Sequence, residues 1–412
     1  MSARRSYRVH TAWLSLAIAV APYPQAAAQG RLVGYRSSTV GVLYETWSFS
    51  DGIVQPTRSG NQEVVVDRAS QFSIPLSVRV PLGENWTIDL TSAYSSGRVV
   101  LTGADPELST SEYGLSGITD TRLRATGRLT PGVSLTLGLN VPTGKTSLDA
   151  EEFSAFRVLA APPLSFQTAR LGSGFSGTAG VVLSQQLGEA WAGALGVSYE
   201  MRGTYDPGVL IAALSSSDYS PGDALRISVG LDGLVGENGM TLGLSADLYP
   251  NQDRVTAPEL NGGFLTSRLG PVLTADWQLR LGLSGFREFT LYAVDRYRTK
   301  YRTGSSDVGD QPVEQSSGNY LDAGIRSVIA AGASTGVLAA ANFRHQTGLE
   351  ADNTIATAGI VSGALTLGLV RDLGGGYSVQ PFIRGQVGRI NSAGESTSGV
   401  GYGGGVTLGV RF

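Results

Sequence analysis

Apolar and polar residues alternate along most of this chain. From Trp86 to Tyr94 the even positions carry Trp86, Ile88, Leu90 and Tyr94, with Ser92 the exception, while Thr87, Asp89 and Thr91 sit between them. Val133, Leu135, Leu137, Leu139 and Val141 alternate with Ser134, Thr136, Gly138 and Asn140. Trp191, Leu195, Val197, Tyr199 and Met201 repeat the period, as do Leu225, Ile227, Val229 and Leu231, and then Met240, Leu242, Leu244 and Leu248. Period two puts successive side chains on opposite faces of an extended strand, so each segment predicts a strand with one aliphatic and one small or polar face. Outside the N-terminus nothing approaches 18 consecutive apolar residues, so no transmembrane helix is expected.

A soluble sandwich would alternate too; the spacing of the turns separates the two. Short turn signals stand at 81–85, 130–132, 188–190, 236–239, 282–285, 332–334 and 372–376. Between them lie longer polar or Gly/Pro-rich connections, such as 101–116, 144–172, 204–222 and 303–318. Alternating tight turns and long loops are the signature of an outer-membrane β-barrel, with turns in the periplasm and loops outside the cell. Seven short turns imply sixteen antiparallel up-and-down strands with periplasmic termini, and uncertain boundaries leave about 12–14 as the alternative.

Both ends of the chain agree with that reading. Arg4, Arg5 and Arg8 precede an apolar stretch over Thr11–Ala21, and Ala26-Ala27-Ala28 offers a small-residue cleavage site. Residues 1–28 therefore read as a signal peptide and 29–412 as a single barrel domain, without a linker to divide it. The last residues, Val406, Leu408, Val410 and Phe412, alternate with Thr407, Gly409 and Arg411. A final strand ending in Phe412 resembles the recognition signal read by the outer-membrane assembly machinery, which becomes an expected partner beside membrane lipids and lipopolysaccharide.

Composition sharpens the picture. Among 412 residues there are 56 Gly and no Cys, and charged residues make up 16%, against the roughly 25% of soluble proteins. Disulfides and thiol chemistry are excluded. The formal charge is −3, falling to −6 once the signal is removed, so nothing points to nucleic acid.

One hairpin carries a further resemblance. Gly117-Ile118-Thr119-Asp120-Thr121-Arg122-Leu123-Arg124 is followed by Leu135 to Val141 and then Pro142-Thr143-Gly144-Lys145. This resembles the Gram-negative outer-membrane family named for the meta-cleavage pathway of phenol degradation, with its Gly-x-x-Asp strand and a hairpin ending in Pro-Thr-Gly. The resemblance covers about a tenth of the chain. It implies a barrel that transports small, often hydrophobic or aromatic, compounds.

The hairpin also has a reading of its own. Asp120, Arg122, Arg124, Thr126 and Arg128 share one face, and Leu123, Ala125, Gly127 and Leu129 the other. An Arg on the lipid face at mid-membrane costs about 2–4 kcal/mol, so the charged face is expected to line the lumen, as a wall of a solute path or as a structural Arg–carboxylate network. Arg296, Arg298, Lys300 and Arg302 form a second basic face opposite Tyr297 and Tyr301, expected to line the upper lumen or to extend into solvent. Asp149, Glu151 and Glu152 cluster in the long connection and read as solvated acids.

Catalytic chemistry is not apparent. His345 is the only histidine after signal removal, and without Cys the three or four N/S ligands of a zinc site are missing, so neither a catalytic residue, a metal nor a cofactor is expected. Three function classes remain in view. The leading one is a channel for small molecules diffusing through a polar-walled lumen. The second is a structural or ligand-binding surface barrel with a closed lumen. The third, an enzyme, lacks a nucleophile–base set. What separates the first two is whether the loops at 144–172 and 204–222 fold inward.

Overall fold

A computed structural model describes residues 38–56, 63–103, 110–168, 170–208, 218–256, 263–305, 313–315, 317–347, 358–392 and 395–410. The expected signal peptide and Phe412 lie outside them.

The wall begins with β1 (Ser38–Pro56), β2 (Glu63–Leu82) and β3 (Trp86–Gly103). Its fourth strand is interrupted, as β4 (Ser111–Ile118) and β5 (Thr121–Thr130), both paired with β3. After β6 (Val133–Val141) the chain makes the helix α1 (Ala150–Leu159) and returns through β7 (Ser176–Leu187) and β8 (Trp191–Arg202). Next come β9 (Asp218–Ser220), β10 (Ala224–Val235), β11 (Asn238–Leu248), β12 (Asp253–Thr256), β13 (Phe264–Arg268) and β14 (Val272–Arg280). The remainder is β15 (Phe286–Arg298), β16 (Tyr301–Ser305), β17 (Val313–Gln315), β18 (Gly318–Ala330), β19 (Thr335–Gln346), β20 (Gly359–Gly374), β21 (Tyr377–Ser392) and β22 (Glu395–Val410).

Seventeen of these segments form one sheet, and because β4 and β5 are one interrupted strand the wall has sixteen antiparallel strands. The sheet closes where β1 pairs with β22, from Ser38↔Val410 to Phe49↔Gly399. Closure leaves no row of unpaired backbone groups, which in hydrocarbon would cost several kcal/mol each. The seven tight turns stand where the sequence places them, all at one end, with Ser38 and Val410 beside them.

The outer face is what makes this a transmembrane barrel. Val181, Leu195, Val229, Leu244, Leu365 and Ile383 are exposed, alternating with inward polar or small residues. Tyr94, Tyr199 and Tyr297 are also exposed on this face, each eight residues after an aromatic residue at the turn end: Trp86, Trp191 and Phe289. Eight residues span about 26 Å of strand, or about 20 Å along the axis at a tilt of about 40°, near the ~25 Å apolar band of such barrels. The aromatic rings mark two interfaces where an amphipathic ring has one wet end.

Beyond the tyrosines the alternation inverts. On β3 and β4 the inward residues are Val99, Leu101 and Leu115, all buried, and the outward ones are Arg98, Glu112 and Ser116, all exposed. Outside this part of the wall is water, and inside it is apolar. The sequence reading placed a long connection at 101–116; both of its ends are strand instead, because they pack on a chain segment inside the barrel.

A second sheet, ordered β17-β16-β13-β12-β9, stands above the wall strands β10 to β18 at the loop end. Here the expected basic face of one strand divides. Arg296 and Arg298 end β15, whereas Lys300 and Arg302 lie beyond a break and pair with Glu314 of β17. Lys300 donates to Glu314 at 2.7 Å and holds its carboxyl below the ordinary value. A lowered folded value contributes order that is complete above the unfolded value and is lost as pH falls through the folded one. The protection factors of the β17 amides, relative to the intrinsic rate at each pH, should therefore fall on acidification, and Glu314→Gln should reproduce that state at neutral pH. Equal protection in Glu314→Gln and wild type would show that this exposed pair holds nothing.

Candidate functional site

The connection between β6 and β7 folds into the barrel. Asp149 starts α1: its carboxylate accepts from the backbone N–H groups of Glu151 and Glu152, and the Glu152 side chain accepts from the Asp149 N–H. Asp149 and Glu152 thus form a capping box, and the Asp149 and Glu151 side chains stay exposed, as their reading as solvated acids expects. The helix presents Ala155, Val158 and Leu159, all buried, to Val99, Leu101 and Leu115 of the wall. Downstream, Leu164 and Phe166 join Trp47, Phe49, Ile360 and Ile390 in the same apolar cluster.

Polar contacts seat this plug on two sides. Trp47 Nε1 donates to the Leu164 carbonyl at 3.0 Å. Gln71 donates to the Thr168 carbonyl at 2.7 Å and accepts from its N–H at 2.8 Å, as a second strand would. From β19, Arg344 reaches Ser165, and it is also paired with Asp322 at 3.3 Å, both side chains at most 3% exposed. On β22 the inward positions are small: a Cβ at Gly399 would stand 2.9 Å from the Phe49 ring and 3.2 Å from Trp47. Glycine there lets the two rings lie against the wall. Residues 203–208 and 218–223 join the cover, with a bridge from Leu148 to Gly208 and another from Tyr205 to Tyr219. Tyr219 donates to Asp253 at 2.8 Å, and burial together with that carboxylate pushes its phenol well above the ordinary value.

The feet of the plug are tied at the interruption between β4 and β5. Asp120 is 5% exposed. Its carboxylate accepts from Gly144 N at 3.0 Å, Ser173 N at 2.7 Å, Ser173 Oγ at 3.0 Å and Asn140 Nδ2 at 2.8 Å. Its own N–H donates to the Leu171 carbonyl at 2.8 Å. A Cβ at Gly144 would stand 2.2 Å from that carbonyl oxygen, so only glycine fits. This is the Gly-x-x-Asp and Pro-Thr-Gly hairpin of the sequence reading, and the geometry gives its Asp a structural task.

The rest of the inner wall is charged. Asp89 on β3 takes Arg79 at 2.5 Å and Arg124 at 3.5 Å. Arg226 is bidentate on Asp247, at 2.5 and 2.7 Å, and Arg202 pairs with Glu200 at 2.8 Å. Arg326 pairs with Glu288, and Arg384 lies 3.8 Å from Glu45. Of the ladder expected on β5, Arg124 thus has a carboxylate, Arg128 bonds Asn85 at 3.0 Å near the turn end, and Asp120 is inside the tie. Arg122 faces the lumen and remains solvent-accessible, as does Thr91 beside it. Arg296 and Arg298 also face inward, and the Nε of Arg296 is buried without a partner. His345 is on the outward face of β19, between Leu321 and Val361. Among the described residues no group of three or more His, Cys, Asp or Glu could hold a metal ion.

Asp89 is visible in the sequence as a polar partner in an alternating strand, but its counter-ions come from other strands and no spacing joins them; Asp247 is the same case. Glu200, Arg226 and Asp322 are inward positions of the same kind.

No protein-family model matches the chain, and no curated protein is similar to it in sequence. The resemblance of the hairpin to the phenol-pathway family therefore stands on those residues alone. Solved structures of outer-membrane barrels do match over most of their length. The high-pH structure of OprB from Pseudomonas putida is 11% identical, with 94% of this chain and 97% of that one covered and a TM-score of 0.41. The outer-membrane protein opdK from Pseudomonas aeruginosa is 13% identical, with 90% and 98% covered and a TM-score of 0.40. The TodX monoaromatic hydrocarbon channel is 9% identical, with 91% and 90% covered and a TM-score of 0.40.

Proposed function

We propose that this protein is an outer-membrane channel that lets small molecules diffuse through a lumen narrowed by the inward-folded connection 142–175. The observation that carries the reading is the contrast inside the barrel. Part of the lumen is filled by an apolar plug, and the wall beside it keeps charged, partly solvent-accessible residues such as Arg122. A sixteen-strand wall is wide enough to leave water beside such a plug. Small hydrophobic or aromatic solutes are the class that the hairpin resemblance implies. The buried cluster around Trp47 and Phe166 favours a second reading, a closed structural barrel, and conductance separates the two. Discrete openings of the folded protein in a planar bilayer are expected; their absence in protein that keeps its heat-modifiable gel shift would favour the closed barrel.

In this reading the tight turns face the periplasm and the loops the exterior, with lipopolysaccharide around the tyrosine girdle and Phe412 read by the assembly machinery. The chain has no cysteine, so single replacements report the sidedness. Asp149→Cys and Glu237→Cys are both expected to react with an impermeant maleimide in lysed cells, but Glu237→Cys to stay unlabelled in intact ones. Labelling of Glu237→Cys in intact cells would reverse the orientation.

A further inference from the structure

We propose that the inner wall from β5 round to β15 binds small organic carboxylates, and that Arg122, Arg296 and Arg298 are the residues that receive them. The proposal rests on the channel reading and names its solute class. Three arginines differ from the rest of the inner wall. Asp89, Glu200 and Asp247 already hold Arg79, Arg124, Arg202 and Arg226. Arg122, Arg296 and Arg298 have no hydrogen bond or ion pair from the described residues. A guanidinium carries five donors, and the Nε of Arg296 is buried without a partner, which is costly. An anion arriving from solution would relieve that cost.

The three stand along one arc of the wall, Arg122 at its β5 end and Arg296 and Arg298 seven strands on at β15, so that a carboxylate meets them in turn. Arg122 shares its electrostatic surroundings with Glu200 and with Arg170 of the plug. Glu200 leads to Arg202, whose guanidinium lies 6.0 Å from the Tyr249 ring centroid. Tyr249 in turn is in the field of Arg298 and Arg226, and Arg296 is in that of Asp247, Tyr249 and Tyr320. Around this arc Arg122, Arg170, Arg202, Arg226, Arg296 and Arg298 stand against Glu200, Asp232, Asp247 and Asp276, and low-dielectric walls focus such a field. Carboxylate is favoured over phosphate by what accompanies the charge. The half-buried Tyr249 offers ring surface to the carbon skeleton of an organic acid, and a planar fork matches a carboxylate in bidentate fashion. Arg296 and Arg298, two residues apart on β15, stand about 7 Å from each other, a step over which a monoanion can pass from one to the next.

Calorimetry on the folded barrel in detergent tests this with benzoate, benzamide and inorganic phosphate as probes. Benzoate should bind, benzamide should not, and phosphate should bind more weakly than benzoate. Arg122→Gln/Arg296→Gln/Arg298→Gln should weaken benzoate by about tenfold or more, since charge-assisted hydrogen bonds are lost. The matching triple Lys variant should fall between. If the triple Gln variant loses its heat-modifiable shift, the exposed Arg122→Gln alone carries the test, with an expected loss of about threefold. Equal binding of benzoate and benzamide, or unchanged benzoate binding in a folded variant, would overturn the proposal. Phosphate binding as tightly as benzoate would overturn the carboxylate assignment. Bilayer conductance judges the channel reading separately: a barrel that binds benzoate yet never opens refutes the channel and keeps the site.

Discussion

Deleting residues 150–168 is expected to raise single-channel conductance on the order of tenfold, because a sixteen-strand barrel without its plug leaves an open aqueous lumen. The deletion is compatible with the wall. Asn140 pairs with Ser176, so the strands it joins are neighbours and the remaining connection easily spans them. It also spares Gly144, Leu171 and Ser173, which Asp120 ties to the wall. What is removed is α1 and the segment seated on Trp47, Gln71 and Arg344. Trp47 and Phe49 would then face water and Gln71 would lose two hydrogen bonds, at a cost of about 1–3 kcal/mol for the polar groups if water did not replace them. Water will replace them, and the backbone ladders that hold the barrel are unaffected. Conductance in planar bilayers checks the prediction, with the heat-modifiable gel shift as the control for folding. A folded deletion variant with wild-type conductance would show that the segment does not obstruct the path.

The barrel was legible in the sequence because its physics is local. A strand at the lipid boundary must alternate, and a turn of two or three residues must contain the residues that tolerate it, so 86–94, 133–141, 191–201 and 225–231 all fall within strands as expected. The plug was not legible for the opposite reason. Its apolar residues, Val158, Leu159, Leu164 and Phe166, sit among polar ones in a Pro-containing connection, and only the inverted alternation of Val99, Leu101 and Leu115 hints that something apolar meets them inside. That inversion could have been read as a strand continuing beyond the membrane. The polar and Gly/Pro-rich composition of 101–116 points to a loop, whereas both of its ends are strand. The charged wall lies between these cases. Inward direction followed from alternation, which is sound for Arg122 and Arg124. Pairing between strands did not, so Arg124 and Arg122 look equivalent in the sequence although Asp89 neutralises only the former. The excess of positive charge expected on β5 shifts to an arc shared by several strands.

Asp120→Ala should release the plug at its feet without unfolding the barrel. Four donors converge on this carboxylate, two of them backbone N–H groups at Gly144 and Ser173. Hydrogen bonds to a charged group contribute about 1.5–3 kcal/mol each, and their loss is not additive, so a local cost on the order of 3–5 kcal/mol is expected. Asp120→Asn should be almost as severe. An amide keeps one acceptor oxygen but turns an NH₂ toward one set of donors, and donor against donor cannot be satisfied by rotation because both sides of the carboxylate are occupied. The cost falls on the connection because the neighbouring strands are held by their own ladders: Arg122↔Asn140 and Thr91↔Arg122 are registered below the tie. Hydrogen exchange should therefore accelerate at the Gly144 and Ser173 amides while those of β5 and β6 keep their protection. Protease added from the loop end should cut between 145 and 172 in the variant more readily than in wild type. In bilayers the same release should appear as frequent transitions to a larger conductance, since a plug freed at its feet but still seated on Gln71 and Arg344 can leave and return. Unchanged exchange at Ser173 in Asp120→Asn would mean that the connection is held by its apolar contacts alone, and that the aspartate of the hairpin serves something other than the plug.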